Sequence, residues 1–118
     1  IYSELIKLLQ RYGTVLTEHV EDKNLNDFGE SSLDDKKIHH RDMNWLLESD
    51  IVIAEVTNPS LGVGYEIGRA IENDKKVGCV YKVKENKKIS AMILGSKKIK
   101  SFNYHNLHEV ENFLNKIF

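Results

Sequence analysis

Apolar and polar positions follow two periods along the chain, and together these periods predict a domain of alternating strands and helices. The pattern predicts strands over residues 14–20, 50–56, 77–83 and 99–104. The second of these contains a continuous apolar run, which is typical of a strand covered on both faces. Apolar stripes with a spacing of three and four residues predict helices before, between and after these strands. The alternation predicts an α/β fold in three layers, with a parallel sheet between two layers of helices.

The helix predicted over residues 1–12 is an unusual start for such a fold. One of its faces is apolar, and Gly13 then supplies a C-terminal stop. Rossmann-like (flavodoxin-like) doubly wound sheets normally begin with a strand that lies centrally. We therefore expect the first central strand to be missing from this sequence and to be supplied by upstream residues of the natural chain. Without it, the ladder of the four remaining strands should contain a gap.

Start and stop signals divide the rest of the chain. Residues 21–35 are acidic and contain a glycine, which indicates a surface loop or lid. Ser32 and Asp35 have the spacing of a capping box for a helix that ends near residue 49, and Asn106 and Glu109 have it for the last helix. A short helix is predicted over residues 90–94, where Gly95 stops it.

Length, charge and cysteine usage limit the classes of function. The 118 residues suffice for a single domain over residues 1–118 with a core of its own. Seventeen basic and eighteen acidic residues give a net charge of −1, which argues against binding to nucleic acid or to a membrane surface. Cys79 is the single cysteine and lies in an apolar run, so it cannot form a disulfide within the chain. This predicts a core residue and a reducing compartment, the cytoplasm or also the nucleus.

Glu66 is the first candidate for chemistry. The strand over residues 50–56 is followed by Pro59 and two glycines, after which a helical pattern begins. Glu66 therefore falls in the first turns of a helix just past a strand's carboxyl end, where open α/β sheets bind ligands. Two structural roles compete with a catalytic one: complementing the helix dipole, and pairing with Arg69.

Asp42 is the second candidate, because it interrupts the apolar stripe of its helix. That stripe comprises Ile38, Asp42, Trp45, Leu46 and Ser49. A carboxylate there costs several kcal/mol of desolvation unless it is paired, protonated or facing a cavity, and neighbouring amides or an arginine would give it a structural role. Two carboxylates that flank one crevice, however, are typical of glycosidic bond cleavage, in which one is the nucleophile and the other protonates the leaving group.

The glycines of the central segment offer a competing interpretation. Gly62, Gly64 and Gly68 give the pattern G-x-G-x-x-x-G, one residue longer than the dinucleotide fingerprint. The third glycine is misplaced and the preceding turn is too long, so the pattern does not favour a nicotinamide cofactor. The glycines rather allow a sugar or phosphate to approach the backbone. Ser60 could add a hydroxyl to such a site, although an N-cap is its simplest role.

The histidines give little support for a metal site. His105 and His108 straddle a helix start with Glu109 nearby, a spacing that could suit a metal but is not supported by further ligands. The adjacent His39 and His40 diverge on a helix. His19, between a predicted strand and the acidic loop, is better placed to meet a ligand, although an isolated histidine is usually structural. We therefore expect neither a metal nor a cofactor.

Four blocks of the sequence resemble the nucleoside 2-deoxyribosyltransferase family, in particular those members that hydrolyse 2′-deoxynucleoside 5′-phosphates. The blocks are residues 16–20 (LTEHV), 40–46 (HRDMNWL), 54–70 (AEVTNPSLGVGYEIGRA) and 90–93 (SAMI). The resemblance extends over nearly the whole chain, and the block 54–70 is its most specific part. The strand, glycine-rich phosphate loop and tyrosine with which the family begins have no match here.

The resemblance implies hydrolysis of the N-glycosidic bond of a 2′-deoxynucleoside 5′-monophosphate to free nucleobase and 2-deoxyribose 5-phosphate. It implies that Glu66 is the nucleophile and forms a covalent bond to the anomeric carbon of the sugar. Asp42 would protonate or orient the leaving nucleobase. This agrees with elementary chemistry, because a nucleobase leaves poorly until it is protonated and a carboxylate nucleophile divides one difficult step into two.

The resemblance also implies a substrate site that two copies of the chain share. Ser60 would contact the phosphate, and Ser90 would reach the active site of the neighbouring subunit in a homodimer. His19 and Met92 would line the substrate pocket. Two other functions stay open on the sequence: base exchange, in which a second nucleobase takes the place of water, and a nucleotide-binding sensor without turnover.

Overall fold

The computed structural model describes residues 2–16, 34–84 and 88–118. In these ranges the elements are α1 (Tyr2–Gln10), β1 (Thr14–Leu16), α2 (Asp35–Glu48), β2 (Ile51–Glu55), α3 (Leu61–Glu72), β3 (Lys76–Tyr81), α4 (Ala91–Leu94), β4 (Ile99–Asn103) and α5 (Leu107–Ile117). Their order confirms the predicted α/β class. His19, most of the predicted loop over residues 21–35 and the end of the predicted strand 14–20 lie outside the described residues.

The four strands form one parallel sheet in the order β1-β2-β3-β4. β1 pairs directly with β2, with Val15 opposite Ile53, and the ladder continues through β3 to β4. The predicted gap in the ladder is therefore wrong for the residues described: β1 occupies the place beside β2, so the backbone groups on that edge of β2 have partners. Helices connect the successive strands, as parallel pairing requires.

Two clusters of buried side chains cover the two faces of the sheet and confirm the three layers. One cluster joins α2 and α3 to the sheet and includes Met43, Leu46, Val63, Ile67, Val52, Ala54 and Cys79. The other joins α1 and α5 to the opposite face and includes Leu5, Leu9, Val110, Leu114, Ile53 and Val80. Because side chains alternate along a strand, neighbouring residues of β2 enter different clusters, which explains its uninterrupted apolar run.

The start of α2 differs from the prediction. Its N-cap is Asp34, whose side chain accepts a hydrogen bond from the backbone N–H of Lys37 at 2.9 Å. The predicted capping box had Ser32 as the N-cap and Asp35 as the third helical residue. Asp35 is instead the first helical residue, and Ser32 lies outside the described residues. The predicted cap of α5 is confirmed, since Asn106 accepts from the backbone N–H of Glu109 at 2.9 Å.

Trp45 was predicted on the buried stripe of α2, and this is wrong. Its side chain is 53% exposed, whereas Met43 and Leu46 are buried. The guanidinium carbon of Arg41 lies 4.9 Å from the centre of the indole ring. A cation on the ring face shelters part of the indole without placing it in the core.

Cys79 is a core residue, as predicted. It is fully buried in β3, and burial raises the pKa of its thiol to about 12. It is therefore not an activated nucleophile. In the described ranges, none of the helices is both long and apolar enough to span a bilayer.

Gly13 lies between α1 and β1, and it is required because its backbone comes close to Ile51 at the start of β2. A Cβ atom at this position would lie 2.8 Å from Cγ2 and 2.9 Å from the carbonyl carbon of Ile51. We expect Gly13→Ala to lower the free energy of unfolding by about 2–3 kcal/mol, measured by urea denaturation. Gly68→Ala in α3 is the matched control, because its Cβ would meet nothing within 4 Å and alanine favours a helix. Equal responses of the two variants would contradict the prediction.

Candidate active site

The N-terminal part of α3 positions several of the predicted site residues. Ser60 has an extended backbone and is the N-cap of α3, and its Oγ accepts from the backbone N–H of Val63 at 3.2 Å. The predicted capping role is thus present. Because the helix begins at Leu61, Glu66 lies in its second turn, beyond the carboxyl end of β2 and on the side that packs toward α2.

Glu66 is buried, with 6% of its surface exposed. Burial, followed by the charge of Asp42, raises its pKa from 4.5 to about 7. The structural pairing with Arg69 is not formed, and the buried Nε of Arg69 finds no hydrogen-bond partner among the described groups. The helix dipole also gives Glu66 little, since that effect fades beyond the first turn. Neither structural role therefore accounts for a carboxylate buried here.

Asp42 lies on α2 and faces the same space as Glu66. Its side chain is 11% exposed, and its Oδ1 lies 3.2 Å from Nε of Arg41. The contact with an arginine was one of the structural roles open to Asp42. Its charge nevertheless acts on Glu66, where it is the second cause of the raised pKa.

A cavity of about 220 Å³, here called the carboxylate cavity, contains both acids. Glu66 and Asp42 line it together with Ile38, His39, Met43, Gly62 and Tyr65. Two acids that have different surroundings in one small cavity can differ in pKa, and they can then take different catalytic roles. This cavity therefore brings together two groups suited to nucleophilic and acid–base chemistry.

A second cavity of about 500 Å³ also borders Tyr65 and is here called the serine cavity. Its lining includes Thr57, Ser60, Gly64, Tyr65, Lys88, Ser90 and Met92. The structure thus separates the predicted site residues into two groups within one chain: Asp42, Gly62 and Glu66 in the first cavity, and Ser60, Gly64, Ser90 and Met92 in the second. Tyr65 lines both cavities.

The sequence analysis missed a link between His39 and Tyr65. The Nε2 of His39 is hydrogen-bonded to the Oη of Tyr65 at 2.7 Å, and the two ring centres are 5.5 Å apart. The bond joins α2 to α3 at the carboxylate cavity. One signal was available: His39 precedes Asp42 by three residues, which places the two on one face of a helix.

His105 takes part in capping the last helix. The backbone N–H of His105 donates to Oε1 of Glu109 at 2.8 Å, and its ring Nδ1 lies 3.1 Å from the same oxygen. These contacts lower the pKa of Glu109. Within the described ranges, no group of three His, Cys, Asp or Glu side chains is arranged to hold a metal ion.

The helices on this parallel sheet bring two acids into one cavity beyond the strand ends. This arrangement defines a class of ligand-binding α/β proteins equipped for nucleophilic and acid–base chemistry. Comparison with known sequences identifies the family within this class. The profile of the nucleoside 2-deoxyribosyltransferases matches residues 1–114, and the chain belongs to this family. The resemblance found in the sequence is thereby confirmed.

Its relatives include several proteins named 5-hydroxymethyl-dUMP N-hydrolase. The one from Danio rerio is 48% identical over 120 residues, which cover all of this chain and 84% of the relative. The one from Esox lucius is 50% identical over 98 residues, covering 81% and 68%. The one from Mus musculus is 44% identical over 121 residues, covering 100% and 70%.

Proposed function

We propose that the chain hydrolyses the N-glycosidic bond of a 2′-deoxynucleoside 5′-monophosphate and releases free nucleobase and 2-deoxyribose 5-phosphate. The observation that carries this proposal is the buried carboxylate of Glu66, which shares a cavity with Asp42 and has no structural partner among the described residues. The names of the relatives support the substrate class and make 5-hydroxymethyl-dUMP the first compound to test.

In the first step, a carboxylate oxygen of Glu66 forms a bond to C1′ while the bond from C1′ to the nucleobase nitrogen breaks. The proton that the two acids share lies on Asp42 while Glu66 acts as the carboxylate. The electron pair of the broken bond leaves with the base, and Asp42 supplies this proton to neutralise it. The product on the protein is an ester between Glu66 and the sugar. Deoxyribose suits this route, because no 2′-hydroxyl withdraws electrons from the positively charged transition state.

In the second step, water attacks C1′ and the ester to Glu66 breaks, which returns the electron pair to the carboxylate. Asp42 lost its proton in the first step and takes one from the attacking water. The pair thus carries one proton before and after the cycle. We assign the 5′-phosphate to the serine cavity, where Ser60, Gly64 and Lys88 offer a hydroxyl, a backbone without side chain and a positive charge. His19, outside the described residues, is assigned to the substrate pocket.

Product analysis tests this function directly. The intact chain is incubated with 5-hydroxymethyl-dUMP, and we expect free 5-hydroxymethyluracil and 2-deoxyribose 5-phosphate in equal amounts by chromatography. Rapid acid quenching and peptide mass spectrometry should locate the sugar ester on Glu66. An ester on Asp42 would reverse the two roles, and the absence of any released base would reject hydrolysis.

Base exchange is the second candidate function, and the name of the matching family favours it. In this reaction a second nucleobase, rather than water, attacks C1′ of the same ester. An excess of free adenine added to the reaction separates the candidates. A new adenine nucleotide would contradict pure hydrolysis, whereas an unchanged yield of 2-deoxyribose 5-phosphate supports it.

In the structure Ser90 lines the serine cavity of its own chain. We also propose that the working form is a homodimer in which Ser90 instead serves the site of the neighbouring subunit. Leu61 and Met92 are 96% and 82% exposed and both line the serine cavity, and an apolar surface of this kind suits a second copy of the chain. The unpaired Cys79 favours a reducing compartment, and we propose the cytoplasm and the nucleus as the location, with a role in nucleotide salvage.

Mixing two inactive variants tests the shared site. Glu66→Ala removes the nucleophile, and Ser90→Asp places a negative charge against the phosphate. In a mixed dimer, one site keeps Glu66 from one chain and Ser90 from the other, so an equal mixture should regain about a quarter of the wild-type activity. Mixing Glu66→Ala with Asp42→Asn is the control and should regain nothing, because both residues act within one chain. Equal recovery in the two mixtures would reject the shared site.

A further inference from the structure

A buried polar network lies at the start of the loop that connects β2 to α3, outside the carboxylate cavity. Glu55 is the last residue of β2, and both of its carboxylate oxygens accept hydrogen bonds. Oε1 accepts from the backbone N–H of Thr57 at 2.8 Å. Oε2 accepts from the hydroxyls of Thr57 and of Tyr104, each at 2.6 Å. Three donors therefore converge on one side chain.

The network connects the carboxyl ends of three strands. The Oγ1 of Thr57 accepts from the backbone N–H of Lys82, which directly follows β3, at 2.9 Å. Tyr104 directly follows β4, and its backbone N–H donates to the carbonyl oxygen of Tyr81 at 2.9 Å. The beginning of the β2–α3 loop is thus bound to both neighbouring strands.

Burial makes this arrangement rigid. Thr57 and Tyr104 are each 6% exposed. Burial, together with the hydrogen bond to Glu55, raises the pKa of the Tyr104 hydroxyl, so this group remains a proton donor at neutral pH. A buried polar network is costly when only part of it is satisfied, and the loop therefore has one favoured geometry.

The loop fixed by this network forms a wall of the serine cavity. Residues 56–60 all line that cavity, and the loop ends at Ser60, the N-cap of α3. The same helix carries Glu66. A shift of Thr57 would therefore move the wall of the serine cavity first, while Glu66, deeper in α3, is held by the packing of the helix on the sheet.

We propose that Glu55, through Thr57 and Tyr104, is a positioning residue that shapes the serine cavity for the phosphate end of the substrate. The proposal rests on the proposed function for its ligand, a deoxynucleoside monophosphate. Loss of the network should weaken the binding of a phosphorylated ligand and should affect its unphosphorylated counterpart much less.

Calorimetric titration with dUMP and with deoxyuridine tests this proposal in the Glu66→Ala background, where binding occurs without turnover. Thr57→Val removes the hydroxyl but keeps the shape of the side chain. We expect it to raise the Kd for dUMP about tenfold, since a displaced binding group loses much of its contact, and to change the Kd for deoxyuridine less than about twofold. Thr57→Ser should restore tight dUMP binding. Tyr104→Phe should act in the same direction and replaces Thr57→Val if that variant does not fold.

Thr14→Val is the matched control at the opposite end of the sheet. It removes a threonine hydroxyl that is hydrogen-bonded to Ser49, so it should lower stability but leave the Kd for dUMP unchanged. The positioning role is rejected if Thr57→Val binds dUMP like its parent, if it loses both ligands equally, or if the parent binds no dUMP. Tight dUMP binding by a wild-type chain that releases no base would instead reject only the proposed hydrolysis.

Discussion

Glu66→Gln is expected to slow the release of free base from 5-hydroxymethyl-dUMP by at least about 10⁴-fold, because an amide cannot form the glycosyl ester. The side chain keeps its size and remains in the carboxylate cavity, so the fold should be retained. The measurement is the initial rate of base release, with circular dichroism as the check on folding. A variant that retains more than about a tenth of the wild-type rate would contradict a nucleophilic role for Glu66.

The pH profile of the wild-type chain tests the proton that the two acids share. The mechanism needs one proton on the pair, and the pKa of Glu66 is raised to about 7. The value of kcat/KM should therefore fall as the pH increases through 7, because the pair then loses the proton that neutralises the leaving base. A value that rises over the same range would contradict the shared proton.

The second large effect is on stability, where Glu66→Gln is expected to make the fold more stable above pH 7. Burial raises the pKa of Glu66 from 4.5 to about 7, so the folded state holds a proton that the unfolded state has released. The unfolding free energy of the wild-type chain should thus decrease between pH 4.5 and 7, and this group contributes about 3 kcal/mol to the decrease. Above pH 7, the glutamine variant avoids the whole penalty.

Urea unfolding at pH 4.5 and pH 8 measures this difference. At the lower pH both chains carry a neutral side chain at position 66 and should unfold at similar urea concentrations. At the higher pH the variant should be the more stable one. All other titrating groups are common to the two chains, so a difference that is the same at both pH values would contradict the buried, destabilising carboxylate.

The main lines of the fold follow from the sequence because they depend on local patterns. The apolar run that became β2 predicted a strand covered on both faces, and Val52 and Ile53 do face opposite layers. The position of Trp45 could not be read in this way, because its large ring has a second favourable surface on the guanidinium of Arg41. The pairing of β1 with β2 depends on contacts between distant segments, which the expectation of a gap did not include.

The candidate site was predictable only in part, and for a similar reason. Two local signals indicated the acids: Asp42 interrupts an apolar helix stripe at a cost in desolvation, and Glu66 follows a strand. Both acids do line one cavity. The division of the remaining residues between two cavities depends on Tyr65, whose position is linked across helices to His39. Glu55 ends a buried strand with a charged side chain. Its hydrogen-bond donors lie up to 49 residues away along the chain, so no short sequence motif predicts the network.

The presence of Tyr65 in the linings of both cavities has a consequence for protein engineering. The acids that would act on the sugar–base junction and the hydroxyls that would hold the phosphate lie in separate cavities, whose described linings have only Tyr65 in common. Preference for a base and dependence on a phosphate should therefore be adjustable by independent substitutions, whose effects add. Changes of Tyr65 itself would couple the two traits, and libraries aimed at new substrates would best leave that position fixed.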